Sequence, residues 1–334
     1  DTVSSLADID VSGEVASDGI VYLFGHDFVR DKASGPMVLP RDRAFAPMND
    51  QELDPQDCVR ILNNYFGVMT PLIQKYDGVI DEFLGDAILA IFGAPVKTND
   101  HARQAVACAL EMQQAMAEVN HNNRKWDLPG IEMGIALNTG EVVVGNIGSE
   151  TRSKYGVVGH HVNLTARIES FTVGGQVMAS EYTVEEIDTD VTIANSMQVE
   201  AKGIKDQVKI HDIVGIGPPY DLVLVAEDVQ PQALINDIPV SFNRLTGKAV
   251  ADELVEGTLT AAADGVAQLA TRAELSLLAD LRMKISGYPG SEDDQTFSKV
   301  TGILESRNGQ NHYIIKLTST PFAAREYIRS QAGT

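Results

Sequence analysis

A helix, a β-hairpin and a second helix follow one another between residues 54 and 119, and this order limits the possible folds. Asp54-Pro55 is typical of a helix start, because Asp caps the N-terminus and Pro suits the first helical position. Residues 79–92 predict two strands that turn at Gly85-Asp86, and a second helix is predicted from Asn99-Asp100. Apolar residues recur at three- and four-residue steps along the first helix, at Val59, Leu62, Phe66, Met69 and Ile73.

The alternation of strands and helices continues to about residue 214. Strands are predicted at 131–137, 140–145 and 207–214, and a helix over 162–171. Strands and helices in this order favour an α/β or α+β sandwich.

Residues 215–219 contain two glycines and two prolines, which is typical of a domain boundary. Short alternating stretches beyond it predict a small C-terminal β-barrel, followed by a helix over 323–331. These strands are predicted at 221–225, 254–259, 266–270, 280–285, 299–304 and 312–317.

Charge and cysteine content narrow the function. The net charge of −21 argues against nucleic acid as a partner, because phosphate backbones are bound by clustered Lys and Arg. An acidic protein that handles a triphosphate would need metal ions to mediate the contact. Cys58 and Cys108 each lie in a helical pattern, which predicts buried free thiols and a reducing, cytoplasmic location. No apolar run is long enough to predict a membrane span.

Three polar residues stand where chemistry is expected. Asp86 lies at the hairpin tip, and Asn163 and Arg167 are four residues apart, on one face of a predicted helix. A guanidinium suits a phosphate and an amide can hold a ribose oxygen. The simpler alternatives are a turn aspartate, a helix-capping asparagine and a solvated arginine. His160-His161, predicted on a strand, would point to opposite faces, so no zinc site is expected there.

The block from residue 38 to 215 resembles the catalytic domain of class III adenylyl/guanylyl cyclases. The resemblance implies a ferredoxin-like α+β domain, with an antiparallel-rich sheet and helices, that forms a head-to-tail homodimer. It also implies conversion of GTP or ATP to the 3′,5′-cyclic monophosphate, with two Mg²⁺ or Mn²⁺ ions per active site. The matching segments are 61–66, 81–95, 138–146, 155–169 and 202–203.

The family's functional residues map onto this sequence by position. Asp86 matches the second metal-binding aspartate, Asn163 the residue that orients the ribose, and Arg167 the residue that stabilises transition-state charge. Lys202 matches the triphosphate-binding lysine better than Lys205 does.

The first metal-binding aspartate is less clear. Counting back from Phe45, its position holds Arg41; counting back from Pro55, it holds Asp42. A better strand, 20–24, ends near Asp27 but requires a long insertion before the helix. We expect Asp42 to be the ligand.

The resemblance implies that two positions recognise the purine base. Glu82 occupies the first, and a carboxylate acceptor suits the N1 and N2 donors of guanine. Gly156 occupies the second and contributes no side chain. GTP is therefore favoured over ATP as substrate.

The remaining residues flank this domain. Residues 1–37 are expected to be a linker or the remnant of an upstream sensor domain, 38–217 the cyclase domain, and 218–334 a PilZ-like β-barrel. The barrel is degenerate, because Arg244 lacks an arginine partner and only Asp264-Gly265 remains of the second ligand motif. An adenylyl cyclase and an inactive regulatory homologue remain alternative functions; a diguanylate cyclase is disfavoured, because 81–86 lacks paired glycines.

Overall fold

The computed structural model forms two compact units. Among the described residues, one unit contains those of 14–26, 65–119 and 132–225, and the other those of 54–64, 120–131 and 230–332. No helix within the described ranges combines the length and apolar content needed to cross a bilayer. The residues described are 14–26, 54–149, 151–187, 189–199, 207–225, 230–246, 249–250, 253–263, 265–289, 291 and 294–332.

A mixed sheet dominates the first unit. Its main path runs β2-β3-β1-β4-β6-β8-β7, with β5 paired to β4 and β9 paired to β8. The strands are β1 (Glu14–His26), β2 (Val79–Leu84), β3 (Ala87–Phe92), β4 (Gly134–Ser149), β5 (Arg152–Val158), β6 (Val177–Ser180), β7 (Val191–Val199), β8 (Val208–Ile216) and β9 (Leu222–Val223). The helices of this unit are α3 (His160–Glu169) and α4 (Glu181–Glu185), together with α1 (Pro55–Lys75) from Tyr65 onward and α2 (His101–Lys125) up to Val119.

Strand β1 lies at the centre of this sheet. Phe24 pairs with Leu89 of β3 on one side and with Ala136 of β4 on the other, both antiparallel. The expectation that residues 1–37 form a linker therefore does not describe 14–26. The run Ile20–Phe24 is apolar, as a strand with neighbours on both sides requires. Because a long segment separates this run from α1, the sequence alone does not show that β1 belongs to the same sheet as β3 and β4.

The core of the first unit forms where strands and helices pack. All six residues of β3 are buried, as in a strand with both faces covered. Of the apolar stripe predicted on α1, Met69 and Ile73 are buried and Phe66 is half-buried, whereas Val59 is exposed. Tyr65, outside the predicted stripe, is also buried.

An antiparallel sheet and one helix dominate the second unit. Strand β10 pairs with both β12 and β14, and apolar residues of β10 such as Phe242 belong to the buried core. The elements are β10 (Gln232–Thr246), β11 (Ala249–Val250), β12 (Val255–Ala263), β13 (Val266–Thr271), β14 (Asp280–Ile285), β15 (Thr296–Arg307), β16 (Gln310–Ser319) and α5 (Phe322–Ala332).

Two features differ from the predicted C-terminal domain. The stretch predicted as its first strand, 221–225, contributes β9, which pairs with β8 of the first sheet through Val223 and Gly215. The long strand β10 was absent from the prediction, because Pro239 and several polar residues interrupt its alternation.

Candidate functional site

Asp86 lies at the tip of the β2–β3 hairpin, as the sequence predicts. Gly85 adopts a positive φ of 70°, which the tight turn requires and which glycine accepts without strain. Asp86 is half-buried. Burial, and secondarily the charge of Asp86, raises the pKa of Tyr65 on α1. Asp86 is therefore a partly solvated carboxylate at the hairpin tip, and its charge acts on the buried Tyr65.

Glu82 of β2 forms an ion pair with Lys154 of β5. Its Oε2 lies 2.7 Å from Lys154 Nζ, and the hydrogen bond raises the pKa of the lysine. Lys154 was not singled out in the sequence. No local pattern identifies it, because its role depends on β2 and β5 coming together.

Gly156 lies beside the same pair. A Cβ at Gly156 would stand 3.5 Å from Asp81 Oδ1 and 3.6 Å from Lys154 Cε. The structure therefore brings the two predicted base-reading positions, Glu82 and Gly156, to one place. Asp81 Oδ1 is buried with no hydrogen-bond partner among the described residues, and burial raises the pKa of this carboxyl against the opposing effect of Lys154.

Helix α3 presents Asn163 and Arg167 one turn apart. Leu164, Thr165 and Ile168 form its buried face, whereas Asn163 is exposed and Arg167 half-exposed. The helix begins at His160, two residues before the predicted start, and Gly159 occupies the N-cap position. Asn163 therefore lies within the first turn and is not the helix cap.

The pair His160-His161 also differs from its prediction. It lies in the first turn of α3 rather than on a strand, and its rings meet edge to face at 5.6 Å. No group of three or more His, Cys, Asp or Glu side chains able to hold a metal occurs in the ranges that the structure describes. Asp42, Lys202 and Lys205 lie outside those ranges.

The donor chemistry at the hairpin tip fits a hard divalent cation. Mg²⁺ prefers oxygen ligands and is commonly held by one or two carboxylates together with substrate phosphates and water. Asp86 supplies one such carboxylate.

Comparison with known proteins agrees with this geometry. The family model described as "Adenylate and Guanylate cyclase catalytic domain" matches residues 44–215. Adenylate cyclase 1 of Rhizobium meliloti is 30% identical over 164 residues, which cover 48% of this chain and 25% of that protein. An adenylate cyclase of Anabaena cylindrica is 29% identical over 180 residues, 51% of this chain and 35% of that one. The chain thus matches about a quarter to a third of these relatives.

Solved structures also match the first part of the chain. The guanylyl cyclase Cya2 is 45% identical with a TM-score of 0.55, covering 62% of this chain and 98% of its own. The adenylyl cyclase CyaB from P. aeruginosa is 26% identical with a TM-score of 0.50, covering 60% of this chain and 95% of its own.

The matched segment, 44–215, is more than half of the 334 residues and contains Asp86, Asn163 and Arg167. The chain belongs to the family of adenylate and guanylate cyclase catalytic domains.

Proposed function

We propose that this protein is a guanylyl cyclase, which converts GTP to 3′,5′-cyclic GMP and pyrophosphate. The observation that carries this proposal is the Glu82 carboxylate at the base-reading position, held by Lys154 at 2.7 Å. Guanine offers hydrogen-bond donors at N1 and N2, which a carboxylate accepts; adenine offers an acceptor at N1, which a carboxylate repels. The 45% identity to a protein described as a guanylyl cyclase supports the same choice.

Lys154 and Gly156 complete the base site in this proposal. The ion pair with Lys154 limits the rotamers of Glu82, so the acceptor oxygens face one direction. Gly156 is buried and leaves the space beside Asp81 and Lys154 unfilled by a side chain. The purine edge would enter this space.

Asn163 and Arg167 act on the ribose and the phosphates. Both side chains lie outside the buried face of α3, one helical turn apart. The Asn163 amide orients the ribose, and the Arg167 guanidinium stabilises the charge that builds up as the 3′-oxygen attacks the α-phosphorus and pyrophosphate leaves. Lys202, or Lys205, binds the triphosphate.

Asp86 and a second aspartate would hold the divalent ions, Mg²⁺ or Mn²⁺. When bound, such ions neutralise phosphate charge and lower the pKa of the ribose 3′-hydroxyl. Pairing between β1 and β3 favours Asp27 over Asp42 as the second aspartate. Gly25 pairs with Ile88, β1 ends at His26 and β3 begins at Ala87. In the sequence Asp27 directly follows β1 and Asp86 directly precedes β3, at paired ends of the two strands, although Asp27 itself lies outside the described residues.

We further propose that the catalytic unit works as a head-to-tail homodimer. Four large apolar side chains on the hairpin and on β5 are more than one-third exposed: Phe83, Leu84, Tyr155 and Val158. Apolar residues exposed beside a catalytic site indicate a surface that a second copy covers. This surface includes β5, the strand that carries Lys154, so base recognition and dimer formation would use the same strand.

The C-terminal unit is proposed to be a PilZ-like β-barrel with a structural or protein-contact role. The pairing of β10 with both β12 and β14 supports closure of the sheet, and α5 packs against β10 and β12. Arg244 is half-buried and its Nε has no hydrogen-bond partner in the part of the chain that the structure describes.

Adenylyl cyclase activity is the second candidate, because two curated relatives, 30% and 29% identical, are named adenylate cyclases. The test is a cyclase assay of the full chain with GTP and ATP in parallel, with Mn²⁺ and with Mg²⁺. Cyclic GMP formed preferentially, and lost in Asp86→Asn but not in Asp127→Asn, would support the proposal. Preferential cyclic AMP would overturn the base assignment, and no product from either nucleotide would favour an inactive homologue.

A further inference from the structure

A buried amide contacts the start of α3 from the neighbouring strand. Asn138 of β4 is fully buried, and its Nδ2 donates to the His161 carbonyl oxygen at 3.0 Å. The same Nδ2 lies 3.3 Å from His161 Nδ1. The His161 carbonyl also accepts from Thr165 Oγ1 at 2.8 Å. The first turn of α3 is thereby attached to the sheet through one residue, His161.

The His161 ring lies directly on the backbone of β4. A Cβ at Gly140 would meet ring atoms of His161 at 2.2 to 2.4 Å, so only glycine leaves room for the ring. On its other side the ring meets Tyr182 of α4 edge to face, with centroids 6.0 Å apart. The half-buried imidazole therefore contacts β4 and α4 as well as its own helix.

The hydrogen bonds determine which form of His161 fits. An amide NH₂ only donates, so Nδ1 must accept, and the ring proton must be on Nε2. Turning the amide over would set Oδ1 against the His161 carbonyl oxygen. Asn138 Oδ1 itself is buried without a hydrogen-bond partner among the described residues, so the amide is held through Nδ2 alone.

We propose that Asn138 and His161 form a positioning clamp that fixes the first turn of α3 and thereby aligns Asn163 and Arg167 for the reaction. This inference rests on the proposed cyclase function for its catalytic consequence. Asn163 follows His161 by two residues, and Arg167 follows it by six. A shift of the helix start by a fraction of an ångström would move both groups relative to the substrate. Neither Asn138 nor His161 needs to contact the nucleotide.

The surroundings of His161 favour the neutral ring that the clamp requires. Burial is the main effect that lowers its pKa below the ordinary 6.5, and His160 adds to it, whereas Glu141 opposes it. These are the titratable groups that act on the ring from α3 and β4, and Tyr182 faces it from α4. Protonation would set an Nδ1–H against the Asn138 NH₂ and break the clamp.

Asn138→Ala and Asn138→Asp test the catalytic role. In the full-length protein, Asn138→Ala should lower kcat about tenfold while KM changes little, because misalignment affects the transition state more than binding. Asn138→Asp, whose carboxylate can donate neither to Nδ1 nor to the His161 carbonyl oxygen, should lower kcat to a similar extent and raise the pKa of His161. His211→Gln is the matched control, because His211 is also partly buried, with Nδ1 2.8 Å from Ser196 Oγ on neighbouring β7.

A second measurement is independent of activity. Histidine NMR of the full chain should show His161 as the Nε2–H tautomer with a pKa below 6.5, and Asn138→Ala should raise this pKa. Hydrogen exchange should show faster exchange of the Asn163–Arg167 amides in Asn138→Ala but not in His211→Gln. Unchanged exchange and an unchanged His161 pKa would overturn the clamp. If the wild type makes no cyclic nucleotide while these shifts occur, the cyclase proposal fails and the clamp stands.

Discussion

Lys154 Nζ lies 2.7 Å from Glu82 Oε2, which joins β5 to β2 across 71 intervening positions of the sequence. Both side chains are about half exposed, so solvent screens the pair and its effect on stability is small. Its expected importance is geometric, since it sets the direction of the carboxylate beside Gly156.

Replacing Lys154 tests this geometric role. In Lys154→Gln, the Glu82 side chain loses its ion-pair partner and its fixed orientation, so kcat/KM for GTP should fall about tenfold and the preference for GTP over ATP should narrow. Steady-state kinetics with both nucleotides measures the change. Lys209→Gln is the matched control, because Lys209 pairs with Glu181 at 2.9 Å with similar exposure. Equal losses in the two variants would show that Lys154 has no special role.

The two candidate metal-binding aspartates can be separated by substitution. Asp27→Asn should lower cyclase activity at least a hundredfold. Asp27 directly follows β1 in the sequence, and Asp86 directly precedes β3, the strand that pairs with β1. Asp42→Asn should leave activity within about threefold of wild type. Activity titrated against Mn²⁺ concentration is the measurement, with circular dichroism to verify folding. The reverse ranking would restore Asp42 as the ligand.

Arg167 should contribute to kcat rather than to substrate binding. Arg167→Ala removes a charge-stabilising donor, so kcat should fall about a hundredfold or more while KM changes less than about threefold. Arg124→Ala, at the exposed end of α2, provides a comparison variant without a role in the site. A rise in KM with kcat retained would instead make Arg167 a binding residue.

The two thiols should differ sharply in reactivity. Cys108 is fully buried, and burial is the main cause that raises its pKa; Cys58 is partly exposed, and its pKa is raised mainly by burial and then by Asp57. Since the thiolate is the reactive species, we expect slow labelling of Cys58 and none of Cys108 in the folded protein at pH 7. Mass spectrometry after maleimide treatment, with and without denaturant, measures this. Rapid native labelling of Cys108 would contradict its burial.

Local patterns predicted the hairpin and its tip well. Gly85-Asp86 between two alternating runs is a signal contained within a few residues, and the φ of Gly85 agrees with it. The outward placement of Asn163 and Arg167 followed from helical spacing, although α3 starts two residues earlier than predicted. Helix ends are set by cap geometry and packing, which apolar spacing alone does not reveal.

Features formed by distant segments were not predictable in this way. The link between Lys154 and Glu82, and the contact of Asn138 with His161, depend on which strands and helices become neighbours. Likewise, the apolar run of β1 was recognised as a strand, but its place between β3 and β4 is decided by pairing across a long intervening segment.

The position of β1 between β3 and β4 also determines where the catalytic unit can be truncated. The family model starts at residue 44, yet β1 ends at His26. A protein that begins at residue 44 would lack β1. Strands β3 and β4 would then expose unpaired backbone N–H and C=O groups on the two sides of a slot one strand wide. Such a slot is a template for any strand of suitable register. A synthetic peptide of residues 14–26 would complement it, and β1 of an uncut copy would compete with the peptide for the same slot.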